Sequence, residues 1–207
     1  LRSGVKFHNG QDVTPEDVIW SYQRCGNPDS ADIIQVAAFA DVEIYQEGEN
    51  TVCFRLSEPS NEFTSYLTTA VLPKDYTEQD TAPVGTGPLK FVSRTAQDSV
   101  VLERFDDYYA GPAETQKLVM KVIPEASQRT IALETGEVDL AYDLLPNDLE
   151  KVRSNSDLQL FEAPSLTCYY ISMNMNKAPY DDQKVRDAVN YAIDRQLIID
   201  TIASGSG

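Results

Sequence analysis

The sequence predicts an α/β core preceded by a differently built region of helix and β-hairpin, and three observations carry that expectation. From residue 118 to 162, strand-like and helix-like segments alternate: 118–123, 126–135, 138–142, 148–153 and 158–162. Ahead of them a capped helix and an alternating hairpin pattern are separated from the rest by the punctuation Gly85-Thr86-Gly87-Pro88. Hydrophobic residues make up 42% of the 207-residue chain, enough for a core of its own.

Each element follows from local chemistry. Thr14-Pro15-Glu16-Asp17 starts a helix: Thr14 can cap, Pro15 suits the first helical position, and the carboxylates favour the positive end of the dipole. Val18, Ile19 and Tyr22 then share a face. Residues 42–46 and 51–56 flank Glu47-Gly48-Glu49-Asn50, and Val52, Phe54 and Leu56 alternate with Thr51, Cys53 and Arg55, which predicts a hairpin with one buried face. Phe63, Tyr66 and Leu67 suggest a short helix before Pro73. After Pro88, residues 89–93 and 100–105 form a second strand pair around the turn 95–98. Gly136 stops the helix of 126–135. A strand over 167–174, a turn at Pro179 and a helix complete the chain, the last with Val185, Ala188, Val189, Ala192 and Ile193 in one stripe. A domain boundary is expected at Gly85–Pro88.

Composition narrows the function classes. With 33 acidic against 17 basic residues the net charge is −16, which argues against nucleic acid or an anionic membrane surface as partner. No stretch approaches the roughly 20 apolar residues of a membrane span. Cys25, Cys53 and Cys168 are odd in number and far apart, so buried thiols are expected, without a disulfide framework or a CxxC metal site. His8 is the only histidine, which leaves no second one for a zinc site and no other histidine as a triad base. No metal or cofactor is expected. Leu1 to Val5 lead straight into a strand-like segment, and Ser204-Gly205-Ser206-Gly207 follow a helix directly, so a fragment of a longer protein is expected.

Four segments in order resemble the extracellular solute-binding proteins of family 5, the oligopeptide-, dipeptide- and nickel-binding receptors of ABC importers. The first is Val5-Lys6-Phe7-His8-Asn9-Gly10 with Thr14-Pro15-Glu16-Asp17-Val18 and Ser21-Tyr22. The second is Gly85-Thr86-Gly87-Pro88-Leu89-Lys90-Phe91 with Leu102-Glu103-Arg104 and Asp107-Tyr108-Tyr109. Then come Ile123-Pro124-Glu125-Ala126 with Gly136-Glu137-Val138-Asp139, and Pro179-Tyr180-Asp181-Asp182 with Val185-Arg186, Ala188 and Tyr191-Ala192-Ile193-Asp194-Arg195. Two departures, Tyr109 for the usual tryptophan and Leu89 for a common aromatic, fall at expected packing positions. The resemblance implies an α/β fold with an additional α+β domain, part of a type II periplasmic-binding-protein fold with two lobes around a cleft. The additional domain would occupy 1–83, the core sheet of the first lobe 84–164, and the crossover and start of the second lobe 165–207. It further implies a bacterial, extracytoplasmic receptor, periplasmic or lipid-anchored at the cell surface, that delivers a peptide-like or other small polar solute to an ABC permease and is not an enzyme.

Under that resemblance the crossover strand lines the cleft. Cys168, Tyr170, Ser172 and Asn174 would share one side, and Thr167, Tyr169 and Ile171 the other. Tyr170 and Ser172 are the foremost ligand-facing candidates, with Thr167 and Tyr169 beside them. The alternative is that both tyrosines pack beneath the Val185 helix. Tyr142 and Asp143 close an expected strand, and ligands of open α/β sheets gather at strand carboxyl ends; alternatively Asp143 simply opens the turn before Pro146. The pairs Glu16/Asp17, Asp106/Asp107 and Asp181/Asp182 read as helix starts or a turn, not as glycosidase carboxylates. Two other functions stand beside the receptor: a surface sensor presenting its solute to a signalling partner, and a hydrolase, disfavoured by the single histidine and the lack of a Gly-x-Ser-x-Gly turn. The apolar surface around Tyr169, Tyr170 and the Val185 helix also predicts self-association of the fragment.

Overall fold

The computed structural model describes residues 1–27, 29, 37–163 and 168–202. They form two compact units, Leu1–Val122 and Ile123–Gly207, so the expected junction at Pro83–Gly87 lies inside the first.

In the first unit helix α1 spans Pro15–Gly26. Its start is a complete capping box: the Thr14 side chain accepts from the Asp17 amide at 3.3 Å, and Asp17 Oδ2 accepts from the Thr14 amide at 2.9 Å. The other carboxylate oxygen of Asp17 takes the Lys74 amide at 3.0 Å, and buried Ser21 Oγ takes the Leu72 amide at 2.9 Å, so one helix face also anchors the 72–74 segment. Strands β1 (Glu43–Glu47) and β2 (Thr51–Arg55) make the expected antiparallel hairpin. Its inner face closes over α1 in a cluster of Val18, Tyr22, Phe39, Ile44 and Phe63. Tyr22 meets Phe39 and Phe54 edge-to-face at 5.1 and 5.2 Å, geometry worth about 0.5–1.5 kcal/mol per pair beyond area burial. Gly26 permits this closure, because a Cβ there would stand 2.5 Å from the Phe39 carbonyl oxygen. The 63–67 segment tightens into a 3₁₀ turn, Phe63–Tyr66, instead of an α-helix.

Strands β3 (Leu89–Thr95) and β4 (Ser99–Arg104) pair antiparallel as expected, with a register break between Phe91 and Ser93 that leaves Val92 as the extra, exposed residue. Strand β5, Lys117–Lys121, pairs antiparallel with β4. The segment expected to open the alternating α/β series is therefore the third strand of a meander. The expected strands over 138–142, 158–162 and the described part of 167–174 join no ladder among the described residues. Alternation reports an extended backbone but not a partner. In the first case the donors are already committed, since the Glu137 and Val138 amides both fold back to the Ala132 carbonyl, at 2.8 and 3.2 Å.

The Gly85–Pro88 loop is tied down from two directions. The Gln79 side-chain amide donates to the Val84 carbonyl at 3.0 Å and accepts from the Val84 amide at 2.9 Å. His8 Nδ1 accepts from the Gly85 amide at 3.2 Å, which requires a neutral ring with its proton on Nε2, 3.0 Å from the Gly87 carbonyl oxygen. Phe105 meets the same ring edge-on at 5.1 Å. Burial pushes the His8 pKa below the ordinary histidine value, the Gly87 hydrogen bond opposing and Lys90 reinforcing.

In the second unit α2 (Ala126–Glu134) and α3 (Pro146–Ser154) bury Thr130, Ala132, Asp148 and Val152. The buried Asp148 carboxylate takes the Lys151 ammonium at 2.7 Å and the Thr130 hydroxyl at 3.3 Å. The Lys151 hydrogen bond holds that carboxyl below the ordinary aspartate range, outweighing the opposite effect of desolvation. Helices α4 (Gln183–Ala192) and α5 (Arg195–Thr201) are capped by Asp182 and Asp194, and none of their residues is buried. The expectation of buried thiols fails: Cys25 and Cys53 are half-buried and Cys168 is exposed. Cys53 sits among the outward residues of the hairpin, and Cys168 sits on a stretch without a covering layer.

Candidate functional site

The candidate residues all belong to the second unit. After α2, Gly136 turns the chain at φ 71°, and residues 138–145 run as an irregular loop to Pro146, the first residue of α3. Within it Tyr142 is 84% exposed, and Asp143 adopts φ 60°, a left-handed conformation that non-glycine residues enter at a cost. The turn is held from α2: Arg129 Nη2 donates to the Asp143 carbonyl at 2.6 Å, and Nη1 donates to the Ile123 and Pro124 carbonyls, each at 3.0 Å. The Asp143 carboxylate, 3.9 Å from the same guanidinium, remains largely exposed.

The second group lies on 168–174, extended and outside any ladder. Tyr169 and Tyr170 are 98% and 83% exposed, and Ser172 is exposed. Among the described residues neither tyrosine packs beneath the Val185 helix, and no sheet lies under this stretch. Thr167 lies outside the described residues. The structure brings Tyr142 and Asp143 together at one turn, and Tyr169, Tyr170 and Ser172 onto one stretch. Among the described residues no hydrogen bond or ring contact joins the two groups.

The surface offers aromatic faces, a hydroxyl, a carboxylate and unladdered main chain. Those are recognition groups for a solute with its own amides or cationic nitrogen. Among the described residues no cluster of three or more His, Cys, Asp or Glu side chains could hold a metal ion. A groove of about 530 Å³ on the first unit, bounded by Leu89, Phe91, Arg94 and Leu102, contains none of the candidate residues. Arg129 escaped the sequence reading. A cation amid Ala126–Glu134, followed by a left-handed aspartate, has no spacing that announces it.

Known proteins resemble this chain in sequence and fold. The family model of bacterial extracellular solute-binding proteins, family 5 Middle, matches residues 1–207. The chain is 30% identical to heme-binding protein A of Haemophilus influenzae, covering 100% of this chain and 43% of that protein. It is 27% identical to the dipeptide-binding protein of Escherichia coli, covering 100% of this chain and 44% of that one. Among solved structures it superposes on the oligopeptide-binding protein AppA of Bacillus subtilis, in complex with a nonapeptide. There the TM-score is 0.87 at 26% identity, over 100% of this chain and 44% of AppA. The chain thus spans less than half the length of the relatives it matches, and its mixed α/β fold is part of the type II periplasmic-binding-protein fold. With a family model matched from the first residue to the last, the chain belongs to the bacterial extracellular solute-binding proteins of family 5.

Proposed function

We propose that this chain serves in an extracytoplasmic receptor, periplasmic or lipid-anchored, that captures a peptide-like or other small polar solute and delivers it to an ABC permease. The role is capture and release, with no bond made or broken. In this reading residues 1–83 form the additional domain, 84–164 the core of the first lobe, and 165–207 the crossover into the second. Tyr142, Asp143, Thr167, Tyr169, Tyr170 and Ser172 contribute to the cleft.

The observation that carries the reading is the exposure of Tyr142, Tyr169 and Tyr170 on backbone that joins no ladder among the described residues. An extended solute can take such main-chain groups as hydrogen-bond partners while the rings cover its side chains. The names of the relatives range over heme, dipeptide and oligopeptide, so the solute is identified by experiment. Mass spectrometry of material retained by the natively purified full-length protein names it, and calorimetry then measures its affinity. Tyr170→Ala is expected to weaken binding by about 1 to 3 kcal/mol with little change in melting temperature. Unchanged affinity would remove Tyr170 from the site, and turnover of the retained solute would overturn the receptor reading.

A further inference from the structure

Arg129 is the cation of α2 whose hydrogen bonds are spent entirely on main chain. Its planar fork reaches three carbonyls on two separate segments: Ile123 and Pro124 before α2, and Asp143 beyond it. Its Nε is buried and has no partner among the described residues, so the Nη bonds alone offset the desolvation of the group. The Asp143 carbonyl it grips belongs to a residue in the left-handed region, where no glycine relieves the strain. Tyr142 hangs from that same turn, as does the exposed Asp143 carboxylate, 3.9 Å from the Arg129 guanidinium.

From this geometry we infer that Arg129 is the positioning residue of the binding surface, clasping the 142–143 turn so that the Tyr142 ring and the Asp143 carboxylate are presented together to the solute. The inference rests on the reading of Tyr142 and Asp143 as cleft residues. A lysine cannot replace the clasp, because its single ammonium lacks the rigid fork that spans three carbonyls. The arginine therefore acts on ligand through the turn, without touching it, and the exposed side of the Asp143 carboxylate faces solvent, where a cationic or amine group of the solute can reach it.

The test uses the full-length protein and two readouts. Hydrogen exchange over residues 138–145, without added solute, reports the clasp. Retention of a random-sequence tetrapeptide pool, quantified by mass spectrometry, reports binding. Arg129→Gln is expected to speed exchange across the turn and to weaken retention about tenfold; Arg129→Lys should fall between it and wild type, and serves alone if the glutamine variant does not fold. Tyr170→Ala should weaken retention while leaving exchange at 138–145 unchanged. Unaltered exchange in both arginine variants would overturn the clasp. Faster exchange with wild-type retention, while Tyr170→Ala still weakens it, would take the turn out of the binding surface and overturn the positioning role. If wild-type protein retains none of the pool, the peptide-like reading fails, and the positioning role falls with it.

Discussion

The first unit closes on itself, while much of the second stays open. Residues 1–122 bury Phe7, Val18, Tyr22, Phe39, Ile44, Phe63, Val84 and Phe105, and their loops are tied by side-chain amides and an imidazole. Past Val122 the buried apolar residues among those described are Ala132 and Val152, and α4 and α5 bury nothing. Both units use the same local devices: a capping box on α1, aspartate caps on α4 and α5, and a glycine turn after α2. Local capping therefore specifies helices in either setting without deciding whether a face is covered. The difference lies in what the apolar stripe meets. Where rings interlock the surface is closed, and where tyrosines stand clear it is exposed.

The contrast is sharpest at single residues. Phe39→Ala removes a ring in edge-to-face contact with Tyr22 and Phe63, and is expected to cost the first unit about 3–5 kcal/mol, measured by chemical denaturation. A loss below 1 kcal/mol would mean that the cluster collapses around the gap and is less closely packed than it looks.

Acid should separate the units as well. The fold holds His8 neutral with a lowered pKa, so its contribution is complete above about pH 6.5 and is lost as pH falls through the lower folded-state value. Asp148 is also depressed, so its contribution persists to below the ordinary aspartate range. Between pH 7 and 5, the protection of the Gly85 amide, relative to its intrinsic exchange rate at each pH, should fall while protection in α2 and α3 holds steady. His8→Gln should remove that pH dependence, and an identical slope in the variant would assign it to another group.

The smallest effect belongs to the open side. Tyr191, 91% exposed on α4, should tolerate Tyr191→Ala within about 0.5 kcal/mol in the same denaturation assay. A core-sized loss would show that α4 is covered in solution, as self-association of the chain would cover it.

Much of this was legible in the sequence, because helix starts and hairpins are local events. Thr14-Pro15-Glu16-Asp17, the alternation of residues 51–56 and the stripe from Val185 to Ile193 each name their element in a few residues. The choice of partner was not. Residues 117–121 read as a strand either way, and only the competition between β4 and more distant segments decides what they pair with. For the same reason the extended runs near 140, 160 and 170 read as strands, although among the described residues no ladder takes them up. His8 and Arg129 were illegible for a related reason. Each acts on main-chain atoms, His8 across more than seventy residues and Arg129 across fourteen, and side-chain patterns carry no record of carbonyl positions.

The extra residue in β3 bears on how this chain can change length. Leu89 and Phe91 line the groove of the first unit, and beyond Val92 it is Arg94 and Thr95, not Ser93, that join them. Deleting Val92 would straighten the strand yet leave every later side chain facing as it does now. Losing a residue from the regular part of the ladder would instead turn the remainder over. Insertions and deletions in this strand should therefore gather at one position, a frame mark written into the backbone.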